Sequence, residues 1–329
     1  METRKIILSD EFFEEPVKGI NREIDSGKSK KTILYGPRGG GKSIVLSYRE
    51  YETIGTPAPA ILTHFDAVGK FLGFDDWFIS HYYELEMARY IISYIKKYHG
   101  KIYESRFLKL HERINGLTRE IDNYFHNHFY QNIELSQKLK TGDICNQLLD
   151  EFRKALTPKS VSLLIDHFDS TDCNSVIAQK TLAGYFELFD QIVLAVSDIS
   201  IYEAKIKGWP GMGNTELIDK GYSLVSVDYG KDLATIKKIV ELYVAHYNAN
   251  KLVNEKRFPI ELLTDEMYEL LLKRSRGNIS KVLVAIRQAI KRFDFESVKD
   301  IFNYYFDTEE EAKRNMVAKG MTKKIKFHL

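Results

Sequence analysis

The amino-acid sequence predicts an α/β fold in which a parallel sheet is followed by a helical lid. Over the first 229 residues, short apolar runs bounded by turn residues alternate with stretches of helical periodicity, a pattern typical of strands joined by crossover helices. From Asp232 onward the apolar residues recur only at helical spacing. We therefore place an α/β domain at residues 1–229 and a helical domain at residues 230–329.

Each predicted strand is an apolar run of four to six residues that ends at a turn or a polar residue. The strands comprise residues 31–35, 60–65, 161–165, 191–196 and 224–227. Apolar side chains at intervals of three and four predict helices over residues 16–28, 42–51, 78–99, 144–156, 181–189 and 279–293. The alternation of β and α elements favours a parallel sheet.

A long helical insertion separates the second and third strands. It extends from about residue 78 to residue 141 and is rich in Tyr, Phe, His and Lys, most densely at residues 123–130. Two interpretations are open. The aromatic side chains form the core of a satellite helical hairpin, or they bind a partner and stack on nucleic-acid bases.

Composition limits the classes of function. Apolar residues make up 44% of the 329 residues, enough for a packed core, and the formal net charge is only +2. Global charge thus predicts no nucleic-acid partner, and DNA binding would need a local basic surface. Two cysteines without metal-ligand spacing favour a reduced, cytoplasmic protein. The longest apolar runs have strand length, so we expect no membrane partner.

The strongest local signal is a glycine-rich loop between the first strand and the helix after it. The phosphate-loop (Walker A) pattern G-x-x-x-x-G-K-[ST] is met by Gly36, Pro37, Arg38, Gly39, Gly40, Gly41, Lys42 and Ser43, and the helix continues at Ile44. A glycine-rich turn that merely precedes a helix would not explain the Lys-Ser pair behind a buried strand. The motif predicts binding of a nucleoside triphosphate, ATP or its product ADP, together with Mg²⁺.

Each residue type in the loop has a chemical role. Glycines allow successive backbone N–H groups to point towards phosphates, and the helix N-terminus adds a partial positive charge. Lys42 supplies a full charge to the β- and γ-phosphates, and the Ser43 hydroxyl is an oxygen ligand for Mg²⁺. Arg38 either contacts a phosphate or a neighbouring subunit, or is a solvated loop residue.

An acidic residue at the end of another strand is expected in this type of site. The run 161–165 leads to Asp166, which we assign as the Walker B carboxylate that positions Mg²⁺. A helix N-cap or turn aspartate is the alternative. His167 and Asp169 are both candidate bases for attacking water, and without a strong base hydrolysis would be slow. Ser197, after the next strand, is either a γ-phosphate sensor or an ordinary turn serine.

Together these motifs resemble the AAA+ ATPases. The phosphate loop, the Asp-x-Phe-Asp sequence at residues 166–169, Ser197 and the lid sequence at residues 275–281 are similar to those of origin-recognition proteins, helicase loaders and transposition-regulator ATPases. The STAND signalling ATPases share most of these features. The resemblance covers residues 16–66 and 144–293. It implies a five-stranded parallel sheet of order 5-1-4-3-2 and ATP between the sheet and a helical lid, often at a subunit interface.

The resemblance also implies a second sensor in the lid and an arginine finger. Arg276 and Lys281 are the candidate sensor residues, although the usual arginine position, three residues after the glycine, holds Ser280. Residues 199–227, where the finger usually lies, contain no arginine. Cations clustered at residues 313–314 and 319–326 either contact nucleic-acid phosphates or belong to a solvated terminus.

We therefore expect an ATP-dependent molecular switch that acts with a protein partner, or as a homo-oligomer, in a nucleoprotein process. DNA replication initiation, helicase loading and transposition control are the candidate processes. One rival is a STAND-like signalling or defence ATPase, although the sequence shows no ligand-sensing repeat array. The other rival is a non-catalytic scaffold that keeps the nucleotide as a structural cofactor, which the weak base at His167 and the missing finger favour.

Overall fold

The computed structural model describes residues 11–26, 29–64, 76–126, 144–168, 184–196, 222–251 and 256–318. In chain order the elements are α1 (Glu11–Ser26), β1 (Lys31–Tyr35), α2 (Lys42–Glu52), β2 (Ala60–His64), α3 (Asp76–Tyr98), α4 (Gly100–Ile102), α5 (Leu108–His126), α6 (Ile144–Leu156), β3 (Ser162–Asp166), β4 (Gln191–Val196), β5 (Tyr222–Ser226), α7 (Leu233–Ala249), α8 (Asp265–Ser275), α9 (Ile279–Arg292) and α10 (Val298–Ala318). A π-helical turn, Tyr103–Phe107, joins α4 to α5, and 3-10 turns lie at Tyr229–Lys231 and Ile260–Leu262.

The five strands form one parallel sheet in the order β2-β3-β4-β1-β5. Every residue of β3 is buried, as are all residues of β4 after its first. Near-continuous apolar strands are expected in a parallel sheet, because helices cover both of its faces. The predicted α/β class with a parallel sheet is thereby confirmed.

Strand pairing sets some element bounds differently from the apolar runs. β2 ends at His64, which lies in register with Asp166 at the end of β3. β5 begins at Tyr222, two residues before the predicted start, and the buried Tyr222 ring lies under the Lys31 ammonium at 5.9 Å. Within the predicted helix 181–189, the described part is helical only at residues 184–186.

The chain divides into two compact units. We call the first the glycine-loop unit; it comprises Met1–Arg22, Tyr35–Val45 and Ser226–Leu329. The second, the sheet unit, comprises Glu23–Leu34 and Leu46–Val225. The predicted domain boundary at residues 229–230 stays a prediction.

In the sheet unit, the amphipathic helix α6 is held at its N-terminus by a buried carboxylate from α3. Glu84 is fully buried and accepts hydrogen bonds from the Ile144 N–H at 2.9 Å and from the Tyr185 hydroxyl at 2.8 Å. A carboxylate at this position satisfies a helix N–H that has no carbonyl one turn earlier, and it complements the helix dipole.

In the glycine-loop unit, the helices α7 to α10 occupy the region that was predicted to be the lid, and we keep that name for them. Side chains cap two of them: the Asp232 carboxylate accepts from the Thr235 N–H before α7, and Asn278 accepts from the Lys281 N–H before α9. No separate helix was predicted after residue 293. The helix α10 is nevertheless anchored by four buried side chains at helical spacing, Val298, Ile301, Phe302 and Phe306.

Within the described ranges, no helix combines the length and the apolar character that crossing a bilayer requires.

Candidate functional site

The glycine loop, residues 36–43, begins where the buried strand β1 ends and leads directly into α2. The Gly41 carbonyl accepts hydrogen bonds from the Ile44 N–H at 2.9 Å and the Val45 N–H at 3.2 Å, so that Gly41 occupies the N-cap position of α2. The Gly40 N–H closes a tight turn by donating to the Pro37 carbonyl at 3.0 Å. This is the strand–loop–helix arrangement that the motif requires.

Lys42 folds back over the loop that precedes it. Its ammonium donates to the carbonyls of Gly36 at 2.6 Å and Pro37 at 2.9 Å, and the residue is 8% exposed. The positive charge therefore lies at the start of the glycine loop, within the curl of the backbone. By contrast, Pro37 and Arg38 are exposed and Ser43 is half-buried.

Backbone hydrogen bonds hold the loop against the lid segments of the same unit. The Tyr229 N–H donates to the Gly40 carbonyl at 3.0 Å, and the Ile279 N–H donates to the Gly39 carbonyl at 3.2 Å. At the start of the loop, the Val227 N–H donates to the Tyr35 carbonyl at 2.8 Å. The residues after β5 and the first residue of α9 thus fix the shape of the loop.

Gly39 and Gly41 are two of the glycines that these contacts require. Gly39 and Gly41 have φ values of +78° and +106°, which L-residues rarely adopt. A Cβ on Gly39 would overlap the Asn278 amide, and a Cβ on Gly41 would overlap the Tyr229 ring. Sequence reasoning missed the roles of Tyr229 and Asn278, because they follow the loop by about 190 and 240 positions.

The predicted sensor residues of the lid lie at the α8–α9 turn and in the first turn of α9. Arg276 ends α8 in a left-handed conformation, with φ of +52°, and is exposed. The Lys281 ammonium forms an ion pair of 2.6 Å with Glu309 of α10. Of this part of the lid, the backbone of Ile279 contacts the loop directly.

The sheet unit contains the predicted Walker B residue. Asp166 ends β3 and is 1% exposed. Its Oδ2 lies 3.5 Å from His64 Nδ1 and 3.7 Å from His167 Nε2, and its Oδ1 accepts from the His167 N–H at 3.1 Å. The two histidines are adjacent, with ring centroids 6.4 Å apart. A buried carboxylate flanked by two imidazoles is a polar cluster at the end of otherwise apolar strands.

His64 was not predicted as part of this cluster, because the second strand was expected to continue to residue 65. One signal could have identified it. Parallel strands end at the same edge of a sheet, so a polar residue at the end of β2 is expected beside the residue that ends β3. The Tyr90 ring packs edge-on against His64 at a centroid distance of 5.9 Å.

The predicted base Asp169 and the predicted sensor Ser197 lie outside the described residues, as does Cys173. Among the described residues, no three His, Cys, Asp or Glu side chains are grouped so as to hold a metal ion. That finding is compatible with Mg²⁺, which usually keeps several waters and takes few protein ligands. The Ser43 hydroxyl and the Asp166 carboxylate are oxygen donors of the kind that Mg²⁺ prefers.

The chain matches no protein-family model, and no curated protein is significantly similar to it.

Proposed function

We propose that this chain binds ATP with Mg²⁺ through residues 36–43 and works as a molecular switch of the AAA+ type. The observation that carries the proposal is the conformation of the glycine loop. Its backbone curls between a buried strand and a helix N-terminus, and the Lys42 ammonium lies inside the curl. Backbone amides, a helix dipole and one ammonium group at a single point favour a polyphosphate over other ligands.

Lys42 is the residue that would contribute most to affinity. In contacting a phosphate, its ammonium would exchange neutral carbonyl acceptors for anionic oxygens. The opposite charges of the ammonium and the phosphate oxygens add a Coulombic attraction that a neutral carbonyl does not offer. Ser43 and Asp166 are the residues we assign to Mg²⁺, which neutralises charge on the β- and γ-phosphates when it is bound.

The sheet order supports the AAA+ assignment. Starting from β5, the order is 5-1-4-3-2, which is the order that the resemblance implies. The lid supports the switch. Because the Ile279 N–H bonds to the Gly39 carbonyl, a change in loop conformation moves the first turn of α9. We assign the switch to a nucleoprotein process from the family resemblance, and either His167 or Asp169 would orient the attacking water.

Isothermal titration calorimetry with Mg·ATP tests the proposal. Replacing Lys42 with Ala removes hydrogen bonds to charged oxygens worth about 1.5–3 kcal/mol each, so we expect affinity to fall at least about 100-fold. Lys273→Ala removes an exposed lysine of α8 and serves as the matched control. Its affinity should equal that of the unmodified protein.

Two results would count against ATP binding by this loop. One is no heat of binding for the unmodified protein at millimolar Mg·ATP. The other is an unchanged affinity in Lys42→Ala. Because Lys42 also bonds the carbonyls of Gly36 and Pro37, urea unfolding of the variant is measured in parallel to show that it remains folded.

A further inference from the structure

The bend between α3 and α5 carries a concentrated positive charge. Five cationic side chains lie within fourteen residues and all are exposed: Lys96, Lys97, Lys101, Arg106 and Lys109. We call these five residues the basic bend. Glu104 is the single carboxylate in the same segment, so its formal charge is +4. The net charge of the whole chain is only +2.

The basic bend rests on an aromatic core. Tyr94, Tyr103 and Phe107 are buried beneath it, and the Tyr94 ring packs against Phe152 of α6 at 6.3 Å. Two of the lysines lie over aromatic rings, Lys96 over Tyr103 at 5.7 Å and Lys97 over Tyr98 at 4.4 Å. The apolar side of the bend therefore faces inward and its ammonium and guanidinium groups face outward.

The five cations differ from several cations of residues 230–318, which form ion pairs with carboxylates. Ion pairs in the lid join Lys237 to Asp265, Lys256 to Asp294, Arg274 to Asp307, Lys281 to Glu309, Arg292 to Glu296 and Lys299 to Glu266. Among the residues that the structure describes, no carboxylate forms an ion pair with any member of the basic bend. Burial lowers the pKa of the neighbouring His111, and the charge of Lys96 acts in the same direction.

We propose that the basic bend binds the phosphate backbone of a nucleic acid. Duplex DNA carries one charge per about 1.7 Å of its axis, so it can meet several cations spread over a bend. Tyr94, Tyr103 and Phe107 are buried and cannot stack on bases, and Lys97 lies over one face of the half-buried Tyr98 ring at 4.4 Å. Contacts to phosphates alone make the binding independent of sequence.

The same surface is poorly suited to an acidic protein or to a membrane. The centres of protein interfaces are depleted of lysine and need exposed apolar area, and Leu108 is the one large apolar side chain exposed next to the bend among the described residues. Stable membrane attachment needs an apolar face as well as basic residues.

Counterion release sets the expected size of the effect. Neutralising five phosphates on duplex DNA gives a slope of log K against log salt of about −4.5. Affinity should then fall about 500-fold between 50 and 200 mM salt. Removing three of the five charges should reduce the slope to about −1.8.

Fluorescence anisotropy of the full chain with labelled duplex DNA, single-stranded DNA and RNA tests the proposal, at several salt concentrations and without nucleotide. The test variant is the triple Lys101→Gln, Arg106→Gln, Lys109→Gln. The control is the triple Lys159→Gln, Lys273→Gln, Lys291→Gln, which removes the same charge from exposed positions elsewhere. Both triples change only exposed side chains, and thermal unfolding monitors their folding.

The proposal predicts steeply salt-dependent binding that the test triple loses and the control triple keeps. It is overturned if the unmodified protein binds none of the three nucleic acids at 50 mM salt, or if both triples lose affinity equally. Acidic peptides and anionic vesicles are tested in the same way. The proposal is also overturned if the test triple loses binding to these ligands but keeps its binding to nucleic acid. If the test triple does not fold, the salt dependence of the unmodified protein still decides the question. A slope of log K against log salt near zero would refute the proposal. The test triple should bind Mg·ATP in calorimetry with the affinity of the unmodified protein, which separates this inference from the proposed ATP site.

Discussion

Replacing Gly41 with Ala probes the contact that shapes the glycine loop. The new methyl group meets two separate difficulties: a φ of +106° and overlap with the Tyr229 ring. An L-residue in a left-handed conformation costs about 1–2 kcal/mol. Overpacking a well-packed site costs about 1–3 kcal/mol more. Since Ala gains about 0.4–1 kcal/mol by reducing the entropy of the unfolded chain, we expect a net loss of about 2–4 kcal/mol.

Gly55 provides a matched control in the same chain. Its φ is +73°, but a Cβ there would have no heavy atom within 4 Å. Gly55→Ala should therefore cost only the free energy of placing Ala in a left-handed conformation. After the gain from the lower entropy of the unfolded chain, the net loss should be about 1 kcal/mol or less. The two variants are compared by urea unfolding followed by circular dichroism.

A double-mutant cycle isolates the ring contact. In a Tyr229→Ala background the overlap is gone, so Gly41→Ala should cost no more than Gly55→Ala does. Calorimetry should show that Gly41→Ala weakens Mg·ATP binding while Gly55→Ala leaves it unchanged. Equal costs for Gly41→Ala with and without the Tyr229 ring would refute the packing argument.

Three further changes have defined outcomes. Asp166→Ala should make ATP affinity less dependent on Mg²⁺ in calorimetry with and without the metal, and an unchanged dependence would count against the Walker B assignment. Glu84→Gln should destabilise by about 1–3 kcal/mol in urea unfolding, because the buried carboxylate that accepts from the Ile144 N–H is replaced by a group with only one acceptor oxygen. Hydrogen bonds from Thr235 lower the pKa of Asp232. Its charged form therefore stabilises the fold above the unfolded pKa, near 3.9. This contribution is lost as the pH falls through the lower, folded-state pKa. In a plot of melting temperature against pH, Asp232→Asn should therefore lose less stability than the unmodified protein on the acid side.

Sequence alone predicted the elements whose ends carry clear signals. The helix α6 and the strands β1 and β4 begin and end at the predicted residues, because Gly, Pro or a strand-ending polar residue lies close to their ends. The helix α10 was not predicted as a separate element, although the region from Asp232 onward was expected to be helical. Its buried Val298, Ile301, Phe302 and Phe306 show that four apolar side chains on one face suffice.

The candidate site divides in a similar way. The position of the glycine loop at residues 36–43 could be predicted from the sequence, because the pattern it matches is a run of eight consecutive residues. The contacts that shape the loop were not evident, because Tyr229, Asn278 and Ile279 lie far away in the chain. Periodicity reports which face of an element is buried and carries no information about which distant residue covers it. His64 was missed for a different reason, because the second strand was expected to continue to residue 65.

Two glycines outside the phosphate-loop motif, Gly230 and Gly277, lie where the segment after β5 meets the α8–α9 turn. A Cβ on Gly230 would overlap the backbone carbonyl of Gly277, and Gly277 itself has a φ of +76°. The residues after β5 and the α8–α9 turn therefore meet through their main chains, and both of these segments also donate backbone N–H groups to the glycine loop. The proposed phosphate binding would explain the glycines of the motif but gives no reason for Gly230 or Gly277. The proposed switch would give a reason, because side chains at these two positions would separate two main-chain segments that both bond to the glycine loop.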